Sequence, residues 1–430
     1  MFEFDHGAVQ ERINGDPEFR LAARYWDCRL IFDMGATRWR FVVQNGCLTE
    51  FGSVDGGATH DVRIAATEED WKELLSAVPR PWYQDVLSAA HMHGFSLEGD
   101  LVKFLYPYHR ALRRLVAALR QMVSGAPLQQ LVPDVTRHFD TAIGRYVYVR
   151  VDGVQYRVYF EEAGMGIPLV LQHTAGADGR QWRHLLEDPD IQKRFRMIAY
   201  DLPYHGKSSP PTAVRWWEQE YRLTRTFLMD AVVAISRALE LERPVYMGCS
   251  IGGHLAPDLA LYHPDEFRAV IGINAGLATP SQSGDERRVS GDELMNSFYH
   301  PRIGNEWKAS MMFGSMSPAS PEPYCRETYW VYSQGAPPVL KGDVYYYAKD
   351  HDLTGLASQI DTSKVGVYLL TAEYDVLSSE AGTPELARQI PGAKYHLLPG
   401  MGHFAPSEDP VKFKQLLMPV LEEIHVKYSS

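Results

Sequence analysis

A serine, an aspartate and a histidine in this sequence stand where nucleophilic catalysis would need them. Ser250 is the centre of Gly248-Cys249-Ser250-Ile251-Gly252, directly after the apolar run Val245-Tyr246-Met247 and directly before a helical pattern. Strand, sharp turn and helix together present a serine at the apex of a turn. The flanking glycines allow strand and helix to approach closely. A serine at neutral pH needs a base to take its proton, and the base needs an acid to orient it. Downstream, Asp375 ends the strand-like run "VYLLTAEYD", and His403 falls in the loop after "AKYHLLPG". Taken alone, Asp375 reads as a helix cap and His403 as one of sixteen histidines on a loop. The order Ser, acid, His, with each residue at a strand end, predicts acyl transfer instead. Ser250 attacks a carbonyl carbon, His403 shuttles the proton, and Asp375 holds the imidazole. Glu373 competes for the acid's role but lies within the strand end. Cys249 is one place short of the apex and reads as a small buried hydrophobe.

Acyl transfer also needs donors for the developing oxyanion. The Ile251 amide, at a helix N-terminus, is one. The other is expected in "QHTAGADG", at Ala175, where small residues let the backbone come near a substrate oxygen. His173 reads as a loop-shaping residue rather than a second base. With Thr174, Met311, Met312 and Trp330 it completes the set of candidate substrate contacts.

The elements that must position these residues follow two rhythms. From about Arg20 to Gln121, "CRLIFDMG", "WRFVVQNGCLTEFG" and "HDVRIAAT" alternate apolar and polar residues and end in turn signals, as strands do. Thr67 is a plausible N-cap, and "YPYHRALRRLVAALRQMV" is amphipathic, with Leu112, Leu115, Val116 and Leu119 on one stripe. This predicts an α+β domain over 1–123. Residues 124–144 have weak periodicity and two prolines and read as a linker. From 145 to 430, short apolar strands alternate with helical segments, which implies a mainly parallel sheet. A hairpin is expected at Asp152-Gly153. A long insertion, about 276–364, interrupts the last strands.

Bulk properties exclude several classes. The 430 residues exceed one core and carry 45% hydrophobic and 23% charged residues, as soluble domains do. A net charge of −11 argues against nucleic-acid partners and against an electrostatic grip on anionic membranes. Cys28, Cys47, Cys249 and Cys325 are scattered, so neither a disulfide framework nor a zinc site is expected. His91-Met92-His93 lacks companion ligands, and no metal or other cofactor is expected. The start Met reads as that of an intact chain. The acidic N-terminal stretch reads as no secretory leader, and no apolar run comes near the ~20 residues of a membrane span. A cytoplasmic setting is the default.

From about Arg145 onward the chain resembles the α/β-hydrolase superfamily. The resemblance rests on His173-Thr174-Ala175-Gly176 in the oxyanion position, Asp201-Leu202-Pro203-Tyr204-His205-Gly206-Lys207-Ser208, the Ser250 turn, Asp375 and His403. Thr174 stands where Gly is usual, and Pro203-Tyr204 where Arg-Gly is commoner. The resemblance implies a mainly parallel eight-stranded sheet with a helical cap formed by the insertion. A serine nucleophile sets aside the sister reactions that use aspartate, epoxide hydrolysis and dehalogenation. Ester, lactone or thioester hydrolysis remains, with amide hydrolysis and C–C hydrolysis of the meta-cleavage-product type beside it. The cap holds Met295, Phe298, Tyr299, Trp307, Met311, Met312, Phe313, Met316, Tyr324, Tyr329, Trp330 and Tyr332, mostly as its own core, with the rest lining a pocket. The implied substrate is a hydrophobic small molecule. The first domain faintly resembles sterol-carrier-like domains, which implies either an apolar ligand or a scaffold for a homodimer. A lipid carrier with an idle hydrolase domain is the rival reading.

Overall fold

The computed structural model describes residues 2–125, 139–278, 297, 305–376 and 382–429. The chain divides into two units, Met1–Gln130 with Gly284–Ala319, and Leu131–Ser283 with Ser320–Ser430. Residues 126–138 of the expected linker lie outside the described residues, as do Met295, Phe298 and Tyr299. Among the described residues no helix is long and apolar enough to cross a membrane.

The first unit carries strands β1 (Cys28–Met34), β2 (Arg38–Gln44), β3 (Cys47–Ser53), β4 (Val62–Ala66) and β5 (Ser96–Gly99). Their order is β3-β2-β1-β4-β5, with β1 and β4 parallel and the other pairs antiparallel. The β2–β3 turn places Asn45 and Gly46 at φ 49° and 80°, the conformation that two-residue hairpins demand. Alternate residues of β2, Trp39, Phe41 and Val43, face the core. Phe32 packs against Phe41 and Trp71 at 4.8 and 4.7 Å between ring centres. The helix Glu68–Leu74 starts on Thr67, whose hydroxyl accepts from the Asp70 amide. The helix His109–Ser124 buries Leu112, Leu115, Val116 and Leu119. Its other face pairs Arg110 with Glu18 and Arg114 with Asp16.

The stretch read from the sequence as one cap is divided between the units. The helix Asn305–Gly314 belongs to the first unit, where Trp307 stacks on Tyr106 at 4.6 Å and Phe313 lies under the Arg113 guanidinium at 3.9 Å. This helix brings Ser310 Oγ to 2.9 Å from His109 Nδ1. His109 Nε2 lies 3.1 Å from Asp85 Oδ1, and all three residues are buried. Burial pushes the Asp85 carboxyl up, but His109 and Arg113 outweigh it and hold the group below its ordinary value.

The second unit carries β6 (Ile143–Val151), β7 (Val154–Ala163), β8 (Ile167–Gln172), β9 (Phe195–Tyr200), β10 (Val245–Cys249), β11 (Ala269–Ile273), β12 (Gly366–Ala372) and β13 (Lys394–Leu398). The order is β13-β12-β11-β10-β8-β9-β7-β6. Pairing is parallel from β13 to β9 and antiparallel at β9–β7 and β7–β6. The β6–β7 hairpin turns at Asp152-Gly153, φ 49° and 77°. Every residue of β10, β11 and β12 is buried, which explains their unbroken apolar runs: helices cover both faces of a parallel sheet. Two insertion helices, Glu322–Gln334 and Pro337–Tyr345, belong to this unit.

Asp85→Ala leaves the buried His109 and the partly buried Arg113 without their carboxylate and is expected to destabilise the first unit by about 3–5 kcal/mol. Because the folded Asp85 titrates below its unfolded value, that contribution is full above about pH 4 and fades as pH falls through the folded value. Urea unfolding at pH 7 and pH 3, followed by tryptophan fluorescence, measures both. Equal midpoints for the variant and the parent protein at pH 7 would refute the assignment.

Candidate active site

Ser250 ends β10 and starts the helix Ile251–Tyr262, with φ 58° and ψ −113°. Its amide donates to Ile273 O of β11 at 2.9 Å, and its carbonyl accepts from the His254 amide at 2.8 Å. Gly252, which closes the motif, and Gly253 beside it are packing requirements. A Cβ on Gly253 would lie 2.0 Å from Ile273 O, and one on Gly252 would lie 2.6 Å from the Gln172 side chain. Ser250 is 7% exposed.

Asp375 and His403 come from the loops after β12 and β13. His403 Nδ1 lies 2.6 Å from Asp375 Oδ1, and both side chains are buried. A carboxylate only accepts, so Nδ1 carries the proton and Nε2 is left as the basic nitrogen. Glu373, the competing acid, is occupied elsewhere: its Oε2 accepts from the Gly400 amide at 2.6 Å. Cys249 is fully buried, and its Sγ donates to His403 O at 3.4 Å. Burial, and after it the Asp375 and Glu408 charges, pushes its thiol well above the ordinary range.

Two side chains that sequence reasoning missed hold the His403 loop. The buried Glu408 accepts from the Gly402 and Phe404 amides at 2.6 and 3.1 Å and from Ser320 Oγ at 2.9 Å. Asn274, just past β11, donates to His403 O at 3.1 Å and accepts from the Ala372 amide at 2.9 Å. The only sequence signal for Glu408 is its place five residues after the histidine.

The loop after β8 holds Ala175. The amides of Thr174, Gly176 and Ala177 donate to Gln181 Oε1, Asp343 Oδ2 and Thr174 O, respectively. Among the described residues the Ala175 amide has no acceptor. Ile251 is the first residue of its helix, so its amide is one of the donors that a helix leaves unmatched. His173 is fully buried and shaped to the backbone: Nδ1 lies 2.8 Å from Thr174 O, and Nε2 accepts from the Leu202 amide. Burial, with His205 nearby, lowers its titration to about 4.

The other candidate contacts scatter. Thr174 Oγ1 is 2.5 Å from Tyr332 OH. Trp330, read as a pocket residue, is 62% exposed, because the helix Glu322–Gln334 turns it outward and Tyr332 inward. Met311 and Met312 belong to the first unit, where Met312 is buried.

A family model described as alpha/beta hydrolase fold matches residues 167–410, more than half of the chain. A 2-hydroxy-6-oxononadienedioate/2-hydroxy-6-oxononatrienedioate hydrolase of Burkholderia vietnamiensis is 29% identical over 153 residues, 35% of this chain and 50% of that protein. The chain spans about half the length of the curated relatives it matches. Among solved structures, an esterase from Thermogutta terrifontis aligns with a TM-score of 0.56 at 20% identity, over 66% of this chain and 100% of that one. An enol-lactonase from Burkholderia xenovorans aligns at 0.54 and 19% identity, over 65% and 99%. At these identities the two structures speak for the fold alone.

Gly253→Ala drives a methyl group into the carbonyl that seats Ser250. The expected loss is about 1–3 kcal/mol, seen as a lower melting temperature, whereas Gly57→Ala, with open space around it, leaves melting unchanged. Equal melting temperatures for both variants would contradict the packing account.

Proposed function

The chain belongs to the α/β-hydrolase fold family, and we propose that it is a hydrolase that cleaves a carboxylic ester, lactone or thioester of a hydrophobic small molecule through an acyl-enzyme on Ser250. The observation that carries this reading is the 2.6 Å contact between His403 Nδ1 and Asp375 Oδ1, which leaves Nε2 free to act as base. Ser250 Oγ attacks the carbonyl carbon and its proton passes to His403. The Ala175 and Ile251 amides take the oxyanion. The leaving group departs with the proton from His403. Water, deprotonated by His403, then releases the acid and restores Ser250. Asp375 keeps the imidazole in its working tautomer throughout.

A second reading, C–C hydrolysis of a 2-hydroxy-6-oxo dienoate, is favoured by the curated relative named above. It uses the same three residues. The reading also puts the reaction in a reducing cytoplasm, consistent with four free cysteines. The first unit is left as a scaffold for a homodimer or a holder of an apolar ligand.

Hydrolysis of p-nitrophenyl esters from acetate to palmitate tests the reading, with a 2-hydroxy-6-oxo dienoate alongside. Ser250→Ala is expected to abolish turnover while the protein stays folded, and Asp375→Asn to lower kcat by about 10⁴. A fluorophosphonate probe is expected to label Ser250. Full turnover by Ser250→Ala would sink the proposal, and turnover of the dienoate alone would move it to the second reading.

A further inference from the structure

At both places where the chain departs from the pattern of its family the residues meet the insertion helices or their partners: Thr174 meets Tyr332, and Pro203 and Tyr204 meet His205 and Tyr221, which bond Asp343. Thr174 and Gly176 flank Ala175, and each is held by a different insertion helix. Tyr332, on Glu322–Gln334, places its hydroxyl 2.5 Å from Thr174 Oγ1. Asp343, on Pro337–Tyr345, accepts the Gly176 amide on Oδ2 at 2.7 Å. Gly176 stands at φ 67°, and a Cβ there would lie 3.1 Å from the Leu340 side chain, one turn before Asp343. The helix therefore reaches the loop through both packing and a hydrogen bond.

Asp343 is fully buried, and both of its oxygens have partners. His205 Nε2 lies 2.8 Å from its Oδ2, and Tyr221 OH donates to its Oδ1 at 3.1 Å. His205 Nδ1 faces Pro203 O at 3.0 Å, so two acceptors meet the two ring nitrogens, as an imidazolium requires. Tyr204, at φ 75°, packs its ring 4.7 Å from that of Tyr221. Pro203 and Tyr204 thus touch the residues that surround Asp343. A buried carboxylate that accepts three hydrogen bonds is costly to move, because any shift strands a charge or a donor.

We propose that the two insertion helices form a clamp on the oxyanion loop, with Tyr332 and Asp343 as positioning residues that hold Thr174 and Gly176 on either side of the Ala175 amide. The proposal rests on the acyl-enzyme reading for its kinetic consequence, but not for the clamp itself. An insertion helix of this kind sets a catalytic donor, rather than only walling in substrate. Such a donor acts on the transition state, so loosening it lowers kcat and leaves substrate binding nearly intact.

The test uses the full chain with Tyr332→Phe, which removes one hydroxyl, and Asp343→Asn, which keeps the shape and removes the charge. Hydrogen–deuterium exchange of the peptide over 173–179 is read first, with melting temperature, and needs no activity. Both variants are expected to exchange faster there, with Tyr332→Phe melting near the parent protein and Asp343→Asn, which leaves the buried His205 without its carboxylate, melting lower. Ester hydrolysis is then expected to show kcat lowered about tenfold, less than the loss of a whole oxyanion donor, with KM within about twofold. Unchanged exchange over 173–179 in folded Tyr332→Phe and Asp343→Asn overturns the clamp. So does unchanged kcat in an enzyme that Ser250→Ala inactivates. Turnover that survives Ser250→Ala counts against the acyl-enzyme reading instead, and the exchange measurement still decides the clamp.

Discussion

Ser250 is held at φ 58° and ψ −113°, a conformation that a residue with a side chain occupies only when its surroundings over-determine it. The second unit supplies that constraint from several directions. The β11 carbonyl of Ile273 takes the Ser250 amide, and Gly253 packs against the same carbonyl. Tyr246 OH donates to Gly252 O at 2.9 Å and so ties the first turn of the helix back to β10. The parallel order β13-β12-β11-β10 gives these strands one direction, and the loops after β12 and β13 deliver Asp375 and His403 to each other. Strain at one residue and the topology of the sheet are two aspects of one arrangement.

The fold was legible because its signals are local. A glycine-flanked serine after an apolar strand, paired turn residues such as Asp152-Gly153 and Asn45-Gly46, and the apolar stripe of His109–Ser124 each declare their element within a few residues. The candidate site was legible only in part. Ser250, Asp375, His403 and Ala175 could be picked out because motif position and chain order name them. Their supports could not. Glu408, Asn274, Tyr332 and Asp343 act through contacts with segments far away in sequence, and nothing in their immediate neighbours marks them. Its place just past the strand end favours Asp375 over Glu373, and in the structure Asp375 meets His403 while Glu373 accepts from the Gly400 amide.

The insertion illustrates a different limit. Its aromatics and methionines say that it has a core, but composition does not say whose. Trp307 stacks on Tyr106 and helps complete the first unit, while Tyr332 reaches Thr174 in the second. Trp330 and Tyr332, two residues apart on one helix, have opposite fates because a helix turns by about 200° over two residues. Reading a pocket from residue types alone treats these positions as equivalent.

The first unit draws its helix Asn305–Gly314 from beyond the first six strands of the other unit. On the ribosome, which delivers the chain from its N-terminus at roughly 5–20 residues per second, residues 1–125 emerge well before Ser310 and Trp307 do. Until then the Asp85–His109 pair lacks the hydroxyl that meets it, and Tyr106 lacks its stacking partner. The N-terminal unit must therefore wait, incompletely packed, while β6 to β11 are synthesised. The first segment to be made is among the later ones to be finished, which ties the maturation of the two units into a single sequence of events.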